Sequence, residues 1–280
     1  MTQHAHASTH VSTPTTFTFA DGGTVNRIGF GTMRLTGQPG NFGPYEDWEA
    51  GIATLRAARD AGVDFFDTAK AYGPRYSEQL VADALAPYGD VFIATKGGIT
   101  KTGVGGDFIR RDGRPEQLRR EIEESLSDLK VDAIDLYYLH APDRTVPFAD
   151  QIGALVDAKV RGDIKRIGVS NVSLDQLKEA MALAHIDAVQ NRFDPANGGD
   201  EAVLDHTTQH GIAFVPWGPL GADPTKPGSP LTDTDSLEGA TPIQTALVQL
   251  LRRAPNVMPI PGTRSANHAV ENFGALKLAG

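Results

Sequence analysis

Apolar residues fall in short blocks along this chain, each followed by a longer stretch with helical spacing. The blocks are R-I-G-F-G-T (27–32), V-D-F-F-D (63–67), V-F-I-A-T-K (91–96) and I-D-L-Y-Y-L-H (134–140). They continue with I-K-R-I-G-V-S (164–170), I-D-A-V-Q (186–190), I-A-F-V-P-W (212–217) and V-M-P-I-P (257–261). Between them, segments such as D-W-E-A-G-I-A-T-L-R-A-A-R-D-A-G and P-E-Q-L-R-R-E-I-E-E-S-L-S-D-L repeat apolar positions every three or four residues. Pro115 suits a first helical position, and Gly62, Gly162 and Gly211 suit helix ends. Short apolar strands alternating with amphipathic helices predict a parallel sheet covered by helices. Eight of them predict an α/β fold, a (β/α)8 TIM barrel. A doubly wound sheet would open on a glycine-rich turn, but G-F-G-T-M-R places Arg34 where the third glycine belongs.

Ahead of the first block, T-F-T-F-A-D-G-G-T-V alternates around Asp21-Gly22, which predicts an N-terminal β-hairpin closing the bottom of the barrel. Residues 1–14 are polar and predict a disordered tail, leaving 15–280 as one barrel domain. Two connections, Gly97 to Arg114 and Gly218 to Ala240, exceed ordinary turns and predict long loops over the C-terminal mouth.

Composition narrows the function. With 280 residues and 40% apolar content, the chain can bury a core without staples. It has no cysteine, which excludes disulfides, thiolate metal sites and a cysteine nucleophile. A net charge of −9 argues against nucleic acid as a partner. The amino terminus lacks a basic start and an apolar run, and no segment approaches the length of a membrane span. A cytoplasmic monomer acting on a small molecule is the expectation. His206 and His210, spaced i, i+4, read as surface residues, and no metal is expected.

Barrel active sites are built at the C-terminal strand ends. There this sequence offers Asp67, Tyr72, Lys96, His140, Ser170-Asn171, Gln190-Asn191, Trp217 and Pro261-Gly262-Thr263-Arg264. Lys96 closes an apolar strand and needs a carboxylate partner, for which Asp67 on the neighbouring strand is available. Lys70, in the loop, is expected to reach solvent. A phenol is a poor proton donor at neutral pH, and an adjacent ammonium is expected to lower its pKa. A histidine beside it can polarise a carbonyl oxygen. The set Asp67, Tyr72, Lys96 and His140 therefore points to carbonyl reduction, with hydride supplied by a cofactor. A glycosidase would need two strand-end carboxylates, and only Asp67 qualifies.

The chain resembles the aldo-keto reductase superfamily from about Asn26 to Asn272. The likeness is carried by G-F-G-T-M-R, A-G-V-D-F-F-D-T-A-K-A-Y-G, F-I-A-T-K-G-G, D-L-Y-Y-L-H, R-I-G-V-S-N, V-Q-N-R-F and I-P-G-T-R-S-A-N-H-A-V-E-N. Within it the sequence is most similar to the bacterial pyridoxal-reductase-like branch. The resemblance implies an NADPH-dependent enzyme reducing an aldehyde or ketone, with Tyr72 as general acid, Lys96 and Asp67 tuning it, and His140 orienting the carbonyl. It implies that Ser170, Asn171 and Gln190 hold the nicotinamide carboxamide, that Trp217 stacks on the ring, and that Gly218 and Leu220 follow in the same cofactor cover. Gly262, Thr263, Arg264 and His268 would meet the adenosine 2′-phosphate, with adenine near Glu271 and Asn272; NADH fits this less well. Many relatives carry lysine at Gly262 and arginine at His268, which leaves Arg264 to take the phosphate. Lys70 stands where relatives often carry aspartate, and the segment before the helix at 241–253 is shorter than usual. Met33, Arg34, Trp48 and Phe108 are expected around the substrate pocket. The alternative reading is an NADPH-binding sensor subunit with little turnover.

Overall fold

A computed structural model describes residues 13–195, 198–221 and 237–280. Most of the expected tail, and residues 222–236 of the long loop after the seventh strand, lie outside the described residues. The barrel strands are β1 (Phe30–Gly31), β2 (Phe65–Asp67), β3 (Phe92–Gly97), β4 (Leu136–Leu139), β5 (Ile167–Ser170), β6 (Ala188–Gln190) and β7 (Ala213–Phe214). Every neighbouring pair in this order is parallel. The eighth block forms only an isolated parallel bridge, Phe214 to Val257. It still closes the ring: Met258 N–H donates to Phe214 C=O at 2.8 Å, and Gly29 N–H donates to Pro259 C=O at 3.0 Å. The eight-stranded expectation therefore holds.

Helices follow the strands as the spacing predicts: α1 (Trp48–Ala61), α2 (Tyr76–Leu85), α3 (Pro115–Leu129), α4 (Phe148–Arg161), α5 (Leu174–Leu183), α6 (Glu201–Gln209), α7 (Pro242–Arg253) and α8 (Ala266–Ala279). Pro115 takes the first position of α3, while Gly62 and Gly162 end α1 and α4 in left-handed conformations. Thr241 caps α7 with a full capping box, so that helix has a defined start despite the short preceding segment. The stretch from Gly97 to Arg114 carries more order than a loop: Ile99–Lys101 pairs antiparallel with Ile109–Arg111. Lys101 ties this hairpin to the loop after β1 through the carbonyls of Gly40 and Asn41.

The two-residue period of a strand sorts the side chains into two cores. Phe66, Ile93, Tyr137, Leu139, Val169, Val189 and Phe214 face the helices and join the larger cluster. Phe65, Ala94, Leu136, Tyr138, Ala188, Ala213 and Val215 fill the barrel, together with Phe17 and Phe19 of the N-terminal hairpin. That hairpin, Thr16–Thr18 against Thr24–Asn26, plugs the floor: Phe19 stacks on Phe92 with ring centroids 5.1 Å apart. Arg166 lies 4.9 Å from both rings and pairs with Asp21. Arg27 is fully buried below the barrel and donates to four carbonyls, of Pro14, Leu251, Ala254 and Val257. It thereby joins the amino-terminal segment, the end of α7 and the eighth strand segment.

Candidate active site

The alternation that fills the barrel also fixes what stands at its top. Asp67 follows Phe65 by two residues, Lys96 follows Ala94, His140 follows Tyr138 and Gln190 follows Ala188, so each extends an inward-facing row. Lys96 is fully buried, and its ammonium donates to Asp67 Oδ1 at 2.5 Å and to Thr68 C=O at 2.7 Å. The other Asp67 oxygen accepts from the Gln190 amide at 2.8 Å. The Lys96 ammonium lies 5.0 Å from the Tyr72 ring centroid and 6.0 Å from that of Tyr138 beneath it. A Cβ at Gly168 would run into the Tyr138 ring, so glycine there lets that ring fit. The Tyr72 and His140 rings meet edge to face at 5.9 Å. The four expected residues are thus brought to one point.

Their protonation follows from burial and from one another. Burial alone would lower the Lys96 pKa, but the adjacent Asp67 and the Tyr72 phenol outweigh it and hold the ammonium above its ordinary value. Burial pushes the Asp67 carboxyl up, against the pull of Lys96 and Gln190. For Tyr72 the expected sign is corrected. Lys96 does pull the phenol down, yet burial and then Asp67 leave it above its ordinary value of 10.0, so the group stays protonated. Burial, then the charge on Lys96, holds His140 well below 6.5, so the imidazole is neutral. Its Nδ1 is buried with no hydrogen-bond partner. A proton there would be stranded, which favours the tautomer with hydrogen on Nε2. A neutral phenol and a neutral imidazole can both donate to a single oxygen.

The other expected residues form two groups. At the ends of β4, β5 and β7, Asn171 donates to His140 C=O at 2.9 Å and to Ser170 Oγ at 3.0 Å, and accepts from the Trp217 indole at 3.1 Å. Asn171 has φ 57, a left-handed backbone that asparagine tolerates better than most residues. Trp217 is 37% exposed, with the Arg192 guanidinium 5.9 Å from its ring. Gly218 has φ 61 and starts a turn ending at Gly221, with Leu220 half-buried inside it. Around the start of α8, Gly262 lies against Gly31 and the Arg34 side chain. Ser265 caps the helix by accepting from His268 N–H at 3.4 Å, and Thr263 Oγ1 accepts from Ser265 N–H at 3.1 Å. Arg264 and His268 are exposed, the former 4.0 Å from Glu46. Glu271 accepts at its backbone from Gln244, and Asn272 is buried with Oδ1 unpartnered.

The pocket residues separate. Met33 and Phe108 are exposed, Phe108 at the tip of the hairpin after β3, while Arg34 approaches Gly262, just after the eighth block. Trp48 does not join them. Its indole donates to Asp83 of α2 at 3.3 Å, and it lines a groove of about 730 Å³ between α1 and α2 with Pro87 and Lys130. Lys70 is the second correction. It is 5% exposed, and its ammonium lies 2.9 Å from Glu124, 3.2 Å from Asp128 and 3.8 Å from Glu78. The turn aims it outward into α2 and α3, where three carboxylates offset its desolvation.

Residues that the motifs did not flag support the site from behind. Ser77 Oγ bonds Thr32 at 2.7 Å and Thr68 at 2.9 Å, and Thr32 donates to Asp67 C=O at 3.1 Å. Glu78 Oε1 accepts from Thr95, one residue before Lys96, at 2.7 Å. The sequence signal for Ser77 and Glu78 is polarity in phase with buried positions: on α2 they share the buried face with Val81 and Leu85. His206 and His210 lie on α6 with ring centroids 4.2 Å apart, and no group of three or more metal-ligating side chains occurs among the described residues. Among the same residues, no helix is long and apolar enough to cross a membrane.

The model of the aldo/keto reductase family matches residues 27–226. An uncharacterised oxidoreductase of Schizosaccharomyces pombe is 41% identical, covering 90% of this chain and 81% of that protein. The pyridoxine 4-dehydrogenase of Escherichia coli is 39% identical, covering 91% of this chain and 90% of its own. Among solved structures, an aldo-keto reductase from Klebsiella pneumoniae in complex with NADPH superposes with a TM-score of 0.78 at 26% identity, covering 94% of this chain and 89% of that one.

Proposed function

The chain belongs to the aldo/keto reductase family, and on that premise we propose that it reduces an aldehyde or ketone with NADPH, taking the proton from Tyr72. The observation carrying this reading is the meeting of the Tyr72 phenol and the His140 imidazole, ring centroids 5.9 Å apart, beside a buried Lys96–Asp67 pair at 2.5 Å.

The donor set fits a nicotinamide dinucleotide. An exposed indole at Trp217 offers a stacking face, and the start of α8 offers free N–H groups beside Arg264. Asn272 Oδ1, buried and unpartnered, suits an exocyclic amino group. The NADPH complex of the Klebsiella relative supports the choice of cofactor. Trp217, Ser170 and Asn171 would hold the nicotinamide end, with Gly218 and Leu220 over it; Gly262, Thr263, Arg264, His268, Glu271 and Asn272 would hold the adenosine end.

Bound there, the cofactor supplies a hydride for the carbonyl carbon. His140 Nε2–H donates to the carbonyl oxygen and orients it. Tyr72 then transfers its phenolic proton to that oxygen as negative charge develops, leaving an alcohol and a phenolate. Lys96, kept charged by Asp67, stabilises the phenolate until solvent reprotonates it. Gln190 holds the second Asp67 oxygen and so keeps the carboxylate aimed at Lys96.

The Escherichia coli relative makes the pyridoxal–pyridoxine pair the first substrate to try. Loss of nicotinamide absorbance with NADPH and NADH, against pyridoxal, a nitrobenzaldehyde and a diketone, tests the proposal. Consumption of NADPH with at least one carbonyl is expected; NADPH binding without consumption of it on any of them would overturn it.

A further inference from the structure

Tyr72 stands at the apex of a closed turn whose two ends are tied to a helix outside the barrel. Arg75 N–H donates to Lys70 C=O at 3.0 Å, and Ser77 N–H continues to Tyr72 C=O at 3.2 Å. The side chains of both end residues converge on Asp128 of α3. Arg75 makes a bidentate pair with it, Nε to Oδ2 at 2.7 Å and Nη2 to Oδ1 at 2.8 Å. Lys70 Nζ reaches Oδ2 at 3.2 Å, and Gln79 of α2 donates to Oδ1 at 3.1 Å. Asp128 is only 6% exposed and spends both oxygens on these donors.

Arg75 has φ 69 and ψ −32, a left-handed backbone in a residue that is not glycine. It is also the N-cap of α2 and makes no side-chain capping bond. Such a conformation persists only where the surroundings over-determine it, and a planar guanidinium–carboxylate fork supplies that constraint. Among the described residues, Arg75 makes its side-chain hydrogen bonds to Asp128 alone. Lys70 has two further carboxylates, Glu124 at 2.9 Å and Glu78 at 3.8 Å. Loss of the Asp128 charge therefore frees the Arg75 end of the turn while the Lys70 end stays anchored.

We propose that Asp128 is a positioning residue for Tyr72, fixing the phenol against Lys96 and His140 by clamping Arg75 and Lys70 on either side of it. This rests on the reading of Tyr72 as proton donor. The clamp acts on the geometry of proton transfer and leaves the cofactor residues of β5, β7 and α8 untouched. A group misplaced by an ångström costs about a hundredfold in rate.

The test compares Asp128→Asn, Asp128→Glu, Arg75→Gly and the Arg75→Gly/Asp128→Asn double variant, assayed well below each melting midpoint. Asp128→Asn is expected to lower kcat about 10- to 100-fold, with the carbonyl KM and the NADPH dissociation constant nearly unchanged, and Asp128→Glu to recover part of the loss. Glycine adopts the left-handed backbone without strain, so in the Arg75→Gly background Asp128→Asn is expected to cost little more. Wild-type kcat in Asp128→Asn overturns the clamp, as does an equal loss with and without Arg75→Gly. If Asp128→Asn does not fold, Arg75→Met carries the same expectation, because the Arg75 side chain is 47% exposed and its loss opens no buried cavity; full kcat in that variant overturns the clamp. A parent chain that reduces no carbonyl overturns the Tyr72 reading and the clamp with it, whereas a working parent with an unaffected Asp128→Asn overturns the clamp alone.

Discussion

Gln190 donates its side-chain amide to the Asp67 oxygen that Lys96 does not use, at 2.8 Å across the barrel. The resemblance assigns this glutamine to the nicotinamide; here one N–H of its amide goes to Asp67, and the residue is 2% exposed. Gln190→Leu removes a hydrogen bond to a buried carboxylate, an interaction of about 1.5–3 kcal/mol. We expect kcat to fall roughly 10- to 100-fold with little change in the NADPH dissociation constant. Weakened NADPH binding at unchanged kcat would return Gln190 to the cofactor.

The pH profile follows from two directions of shift. Tyr72 is raised above 10.0, so its proton is present at every lower pH and reduction declines only above that value. His140 is held well below 6.5 and stays neutral down into acid. The profile of kcat/KM is therefore expected to be level across neutral pH, with no step near 6.5. A step there that disappears in His140→Gln would contradict the assignment of a neutral imidazole.

Much of the site was legible because a strand reads out every second residue. Once Phe65, Ala94, Tyr138 and Ala188 are taken as inward, Asp67, Lys96, His140 and Gln190 must point to the same lumen, and they do. What the sequence could not show is where a loop aims its side chains. Lys70 reads as a loop lysine, but its turn faces α2 and α3, whose acids at 78, 124 and 128 come from two other segments. The sign of the Tyr72 shift was hidden for a related reason: proximity to Lys96 is readable from neighbouring strands, while the depth of burial that opposes it depends on the assembled barrel. Trp48 likewise belongs to a helix–helix groove that only the packing of α1 on α2 defines.

Glu78 makes the stability itself pH-dependent. Burial pushes its carboxyl from 4.5 up to about 7, against the pull of Lys70, Ser125 and Thr95. A carboxyl raised in the folded state confers stability that is full below 4.5 and is lost as the pH rises through about 7. Urea midpoints measured from pH 4 to 8 are expected to fall across that window. Glu78→Gln should flatten the fall; an unchanged slope would show that another group titrates there.

Arg27 carries the floor of the barrel. Arg27→Met leaves the carbonyls of Leu251, Ala254 and Val257 without that donor, the buried ones at Leu251 and Val257 each costing about 1–3 kcal/mol. A loss of about 3 kcal/mol or more is expected in urea unfolding, with kcat of the folded fraction unchanged. Arg27→Lys, which cannot reach all four carbonyls at once, should fall between.

The most direct measurement is Tyr72→Phe, assayed for NADPH-dependent reduction of the best carbonyl substrate and, on the same sample, for NADPH binding by quenching of tryptophan fluorescence. The account predicts that reduction is lost while the dissociation constant stays close to that of the parent chain, because the phenol gives a proton and holds no cofactor. Reduction that persists at the parental rate with NADPH still bound would contradict it, and would move the proton donor away from Tyr72.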